Sequence, residues 1–140
     1  MPFNETCPFC NPLKDLNQNI VFENDTCYFL QHNLEQDVLE GCGVIVPKKH
    51  RENTFELTAE EWSDTYELLQ KAKEFLDEKF SPDGYTLGWN VGKVSNQTIP
   101  HSHFHVIPRY SDEPLAGKGI RYWFKQSNNK RNNLSYTKLL

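Results

Sequence analysis

Residues 57–84 read LTAEEWSDTYELLQKAKEFLDEKFSPDG, the clearest helical signal in a chain of 140 residues. Thr58 and Glu61 stand three apart, the spacing at which a hydroxyl caps free backbone amides while a carboxylate reaches back to the cap. Leu57 and Trp62 can close a hydrophobic staple across them. Apolar side chains then recur at Trp62, Tyr66, Leu69, Ala72, Leu76 and Phe80, one stripe at helical spacing, until SPDG stops the helix.

Outward from this helix the apolar runs are short and β-prone. Upstream, NIVFENDTCYFL (19–30) places two strands around Asn24 and Asp25, a pair suited to the positive φ of a tight hairpin turn. CGVIVPKKH (42–50) reads as a buried strand stopped by Pro47, which has no amide to donate to a ladder. Downstream, YTLGWNV (85–91) and HSHFHVI (101–107) supply two more strands. With a single helix available for crossovers a doubly wound parallel sheet is excluded. The expected fold is α+β, an antiparallel five-stranded meander with the helix packed on it. One domain accounts for a chain of this length, with a loop-rich, basic C-terminal tail over about residues 111–140.

Composition supplies a core and a wet surface: 37% of residues are hydrophobic, nine are phenylalanine, and mean hydropathy is −0.71. No apolar run approaches the roughly 18 residues of a membrane span, and MPFNETCPFCNP lacks the basic start and apolar stretch of a secretion signal. The expected address is the cytoplasm, with no membrane partner. In a reducing compartment Cys7, Cys10, Cys27 and Cys42 are not expected to form structural disulfides, and a close pair of them reads as metal-binding or redox. The net charge of −4 is unevenly spread: all 19 acidic residues lie at or before Glu113, while the last 27 residues hold six basic residues and no acid. Such a tail can attract polyphosphate or nucleic acid, or simply dock on the acidic body.

The chemistry concentrates in QTIPHSHFHVIPRY (97–110). On a strand, His101, His103 and His105 share one face, while Ser102, Phe104 and Val106 take the other, where Phe104 and Val106 pack against the helix. Three imidazoles buried as mere core are improbable, because each polar ring wants its own partner. One metal held by all three is also strained, since same-face neighbours stand roughly 6–7 Å apart along a strand and zinc bonds are about 2 Å. A division of labour is easier, with one end of the ladder on a metal and the rest on substrate. CPFC places Cys7 and Cys10 at the spacing of a zinc knuckle, which needs two further ligands; His101 and His50 are candidates. A thioredoxin-like redox pair is the alternative, but no strand long enough precedes Cys7. GWNVGKV (88–94) fails as a phosphate loop, being one residue short between its glycines and carrying Val94 where a hydroxyl should hold magnesium.

These residues resemble the histidine triad (HIT) superfamily. Its fingerprint of three alternating histidines followed by apolar residues matches His101 to Ile107, the flanking QT and PR also fit, and the likeness extends over GVIVPKKH, the capped helix and WNVG. The resemblance implies that His103 attacks the α-phosphorus of a nucleotide conjugate to give a nucleotidyl-histidine, which water or another acceptor resolves. It implies that His105 binds the phosphate and that Asn90, Gln97 and Thr98 position the phosphate or leaving group. It implies one structural zinc per chain on Cys7, Cys10, His50 and His101, a nucleotide or dinucleoside polyphosphate substrate, and a homodimer. The expected activity is that of a nucleotide hydrolase or transferase cleaving a phosphoanhydride or phosphoramidate bond, as in diadenosine polyphosphate hydrolases and nucleoside phosphoramidases. An imidazole whose unperturbed pKa is about 6.5 is largely neutral at pH 7 and so can serve as the nucleophile.

The chain departs from the pattern in two places. Many relatives carry a histidine before the third strand where this chain has Cys42, and LQHNLEQDVLEG (30–41) exceeds the usual turn, so the ribose-binding acid has no obvious position; His32 reads by default as exposed loop, with a place in the pocket as the alternative. The missing histidine favours a rival, a nucleotide-binding or regulatory module without useful catalysis. A nucleic-acid-binding zinc protein is a third reading, carried only by CPFC and the basic tail.

Overall fold

A computed structural model of the chain describes residues 3–132. These divide after Tyr110 into two compact units. In the first, helix α1 (Ala59–Phe80) begins at the capping box: Thr58 Oγ1 accepts from the Glu61 amide at 3.1 Å, and Glu61 Oε1 accepts from the Thr58 amide at 2.8 Å. The helix ends at Ser81, whose left-handed φ of 48° turns the chain out.

The buried face of α1 is Glu61, Thr65, Leu68, Ala72 and Leu76. This corrects the stripe drawn from apolar residues alone, since Trp62 is 45% and Tyr66 64% exposed. Two polar residues enter the core because their hydrogen bonds are made. Glu61 also accepts from Arg51 Nε at 3.0 Å, and Thr65 Oγ1 donates to the Glu61 carbonyl at 2.7 Å. Counting only apolar side chains turns the face by about one position, because a buried group must be satisfied rather than apolar.

Five strands, β1 (Gln18–Glu23), β2 (Cys27–His32), β3 (Gly43–Pro47), β4 (Gly84–Trp89) and β5 (Phe104–Arg109), form one antiparallel sheet in the order β1-β2-β3-β5-β4. After β3, α1 crosses the sheet to the edge strand β4, and β5 returns into the space beside β3. Phe29, Ile45, Phe104 and Val106 pack with Leu68, Ala72 and Leu76 of α1 to form the main core. A smaller core joins Cys7, Phe9 and Cys10 to Leu30 and Val46. Gly43 allows β3 to approach β2, since an added Cβ would lie 2.5 Å from the Leu30 carbonyl oxygen.

The β1–β2 turn is built differently from the expected positive-φ pair. Among the described non-glycine residues only Ser81 and Asn96 have positive φ. Asn24 instead uses its side chain: Oδ1 accepts from the Cys27 amide at 3.0 Å, and Nδ2 donates to the Asp64 carbonyl at 2.9 Å, tying the hairpin to α1.

Strand β5 also starts later than HSHFHVI implies. Its ladders end at Phe104, opposite Ile45 on one side and Trp89 on the other. The backbone before it bonds to loops: the Ser102 amide donates to the Arg51 carbonyl at 2.7 Å and the His101 amide to the Ile99 carbonyl at 2.8 Å. With partners found outside the sheet, His101 and His103 are held just ahead of the strand.

Within the second unit, residues 111–132 carry a short helix, α2 (Ile120–Phe124), and one further 3-10 turn at Ser127–Asn129. Tyr122 and Trp123 meet edge to face at 5.0 Å. The end of the basic tail, including Lys138, lies outside the described residues.

Candidate active site and metal centre

The histidine run splits between two places. His101, fully buried, turns Nδ1 towards the N-terminal segment, 3.3 Å from Cys7 Sγ, 3.5 Å from Cys10 Sγ and 3.3 Å from His50 Nδ1. Cys10 Sγ lies 3.4 Å from His50 Nδ1, and the four donor atoms all fall within 4.8 Å of one another. Tetrahedral bonds of about 2.0–2.3 Å put ligand atoms about 3.3–3.8 Å apart, so two sulfurs and two nitrogens stand close to the spacing a metal ion needs. These four residues could hold one.

The second nitrogen of His101 supports that reading. Nε2 lies 2.7 Å from the Pro47 carbonyl oxygen, so it carries the proton and donates, leaving the Nδ1 lone pair facing the sulfurs. Metal-ligating histidines are usually oriented by such an outer partner. Burial pushes the His101 pKa down to about 4, keeping the ring in the neutral form that ligates.

His103 faces elsewhere. Its Nδ1 is 2.9 Å from the carbonyl oxygen of His101; Nδ1–H donates, and the Nε2 lone pair is left available. Its ring lies 4.8 Å from that of His105 and 5.1 Å from that of Phe9. Both histidines line a cavity of about 330 Å³. Burial lowers the pKa of each, so both are neutral near pH 7. Among the described residues His105 Nε2 is buried with no hydrogen-bond partner. An orphaned buried nitrogen beside an available lone pair is what a site awaiting a polar ligand looks like.

A family model, the HIT domain, matches residues 14–112. The chain belongs to the HIT family. An uncharacterised HIT-like protein of Methanocaldococcus jannaschii is 33% identical over 109 residues, 76% of this chain and 81% of the relative. A bis(5'-adenosyl)-triphosphatase of Dictyostelium discoideum is 33% identical over 94 residues, 67% of this chain and 62% of that protein. An adenosine 5'-monophosphoramidase of Schizosaccharomyces pombe is 30% identical over 80 residues, 57% of each chain. Among solved structures, a HIT family protein of Bacillus anthracis superimposes with a TM-score of 0.72 at 26% identity, covering 96% of this chain and 92% of that one. A zinc-bound histidine triad protein of Mycobacterium smegmatis shares the fold with a TM-score of 0.65 at 22% identity, over 82% of this chain and 83% of that one.

Of the residues the HIT resemblance assigns to substrate, His103, His105 and Thr98 line the cavity. Gln97 does not; its amide clasps the preceding loop, donating to the Glu52 carbonyl at 2.7 Å and accepting from the Gly92 amide at 3.0 Å. Asn90 follows β4 and is also absent from the lining. The cavity instead brings in Asp15, His32, Glu35 and Cys42. His32 is the last residue of β2, not exposed loop, and its Nε2 meets Asp15 Oδ2 at 2.8 Å. Two of these left a trace in the sequence: Cys42, as the position where a histidine was missing, and His32, whose alternative reading is a place in the pocket. Asp15 and Glu35 carry no motif, and loop closure alone delivers them.

Proposed function

We propose that this HIT protein is a nucleotide hydrolase or transferase acting at the α-phosphorus of a nucleotide conjugate, with His103 as nucleophile. One observation carries the reading: the bond from Nδ1–H to the His101 carbonyl fixes the tautomer and leaves Nε2 as a lone pair at a cavity wall. Nε2 attacks phosphorus, a P–N bond forms, and the bond to the leaving oxygen or nitrogen breaks with its electron pair, which takes up a proton from solvent water. Water or another acceptor then attacks the same phosphorus and returns a proton to solvent, while the P–N bond breaks back onto Nε2, which recovers its lone pair. In this reading His105 donates from Nε2–H to a phosphoryl oxygen, supported by its lack of any other partner among the described residues, and preorganised partners of this kind stabilise charge developing in the transition state. The names of the triphosphatase and phosphoramidase relatives support the reaction class.

Zinc belongs to this reading as a structural ion on Cys7, Cys10, His50 and His101, supported by the S2N2 donor set and its spacing. When bound it supplies a rigid cross-link. The chain's own residues do the rest: His101 anchors the N-terminal segment and offers its carbonyl to His103. A homodimer is also part of the proposal, since Trp62 and Tyr66 of α1 and Leu87 of the edge strand β4 leave apolar surface exposed.

The deciding experiment is rapid quenching with a nucleoside phosphoramidate and with a dinucleoside polyphosphate, followed by peptide mass analysis. A nucleotidyl adduct on His103, missing in His103→Asn, is the expected result. Turnover that persists in His103→Asn refutes the nucleophile. No turnover of either substrate by the native protein favours the binding module that Cys42 makes the second reading.

A further inference from the structure

The segment joining β2 to β3, residues 33–42, is longer than a turn requires, and the structure shows what holds it. Gln36 acts as a clasp: its Nε2 donates to the carbonyls of His32 and Cys42, both at 3.1 Å, while its Oε1 accepts from the Gly41 amide at 2.8 Å. The Leu39 amide donates to the Glu35 carbonyl at 3.0 Å, and the Cys42 amide to the Leu39 carbonyl at 2.9 Å. The loop so closed turns Glu35 onto the cavity, where Cys42 Sγ stands 3.6 Å from its Oε2. The Cys42 thiol is pushed up to about 12 by burial and then by Glu35 itself, so it remains a proton donor to the carboxylate.

The surroundings leave that carboxylate uncompensated. Asp15 meets His32 at 2.8 Å, whereas among the described residues Glu35 has no ion-pair partner. No described Lys or Arg lines the cavity. Glu35 acts electrostatically on both His103 and His105, which places its charge within range of anything those rings bind. A phosphate site usually gathers cations, because each added negative charge on the ligand must be offset. Here the wall carries negative charge instead.

We propose that Glu35, held by Cys42 and the Gln36 clasp, is a specificity-determining residue that selects nucleotide conjugates with uncharged or cationic leaving groups over those with polyphosphate leaving groups. The proposal rests on the functional reading above for the identity of the ligand. Each extra phosphate brought into the cavity meets the Glu35 carboxylate on its wall, whereas an amine or amide leaving group brings no negative charge to be repelled. The thiol at position 42 suits this role: a histidine there could take up a proton and cancel the charge, but a thiol cannot.

The test compares adenosine 5'-phosphoramidate with diadenosine tetraphosphate in the native protein, Glu35→Gln and Glu35→Asp. The native kcat/KM ratio should favour the phosphoramidate, and Glu35→Gln should move it about ten-fold or more towards the tetraphosphate, the size expected for removing one nearby charge. Glu35→Asp should retain most of the native ratio. Added salt should shrink native selectivity while leaving that of Glu35→Gln nearly flat, a response that a merely structural residue would not show. An unchanged ratio in a folded Glu35→Gln protein overturns the proposal. Equilibrium affinities of AMP and diadenosine tetraphosphate, measured in the His103→Asn protein with and without the Glu35→Gln substitution, report the same preference without turnover. Failure of catalysis and failure of selectivity are thus read separately.

Discussion

Two sites grow from one run of five residues, and they are opposites. At His101 both ring nitrogens have partners: Nε2 meets a carbonyl, Nδ1 meets two sulfurs and a second ring nitrogen, and the four donor atoms face one another. Around His103 and His105 the chain leaves a nitrogen orphaned and a cavity beside it. A closed donor set suits a structural ion, whereas an orphaned nitrogen at a cavity suits a polar ligand. The two are joined by a single backbone atom, the His101 carbonyl oxygen that fixes the His103 tautomer, and by Phe9, whose ring stands 5.8 Å from His101 and 5.1 Å from His103.

The contrast is most vulnerable at the closed site. Cys7→Ser should abolish stoichiometric zinc, measured by elemental analysis against about one ion per native chain, and lower the melting temperature by about 10 °C or more, because metal binding free energy is folding free energy. Zinc lost with the melting temperature unchanged would contradict a structural role. Phe9→Ala tests the junction. Phe9 is only 5% exposed, so truncation should cost about 3 kcal/mol by chemical denaturation, and kcat should fall as His103 loses its support. If stability drops while kcat holds, the two sites are not mechanically linked.

The smallest effect concerns the open site. With its pKa raised to about 12, Cys42 is almost wholly thiol between pH 7 and 9, and only the thiolate is nucleophilic. Iodoacetamide at pH 8 should leave Cys42 unmodified in the native protein over hours and label it readily in urea, where the thiol returns towards its ordinary value. Labelling should quicken only as pH climbs towards 12. Rapid native labelling at pH 8 would show that the cavity does not bury Cys42 as described.

The two sites also differ in how far they could be read in advance. The four candidate metal ligands and the two cavity histidines each carried a spacing: two intervening residues between Cys7 and Cys10, alternate positions from His101 to His105, and His50 just beyond the proline that ends β3. Spacing is a local property, and strand and turn geometry convert it directly into position. Asp15, His32 and Glu35 had none. Their place in the cavity depends on the Gln36 clasp, which closes the 33–42 loop on itself, and on the Asp15–His32 contact, neither of which follows a repeating pattern. Glu61 and Thr65 escaped for a related reason, since only the folded chain shows that Arg51 and Cys27 are there to receive them.

The capped helix, the antiparallel α+β class, the proline stop of β3 and the residue types of both sites were all legible in the order of amino acids, because each depends on neighbours within a few positions. Folding in three dimensions set the rest: β5 lies between β3 and β4, His101 turns away from His103, and a carboxylate faces the cavity. Those outcomes are fixed by which partners the folded chain brings together, β3 beside β5, the His101 ring against Pro47 and His50, and the Gln36 clasp around its loop, and no local pattern records that.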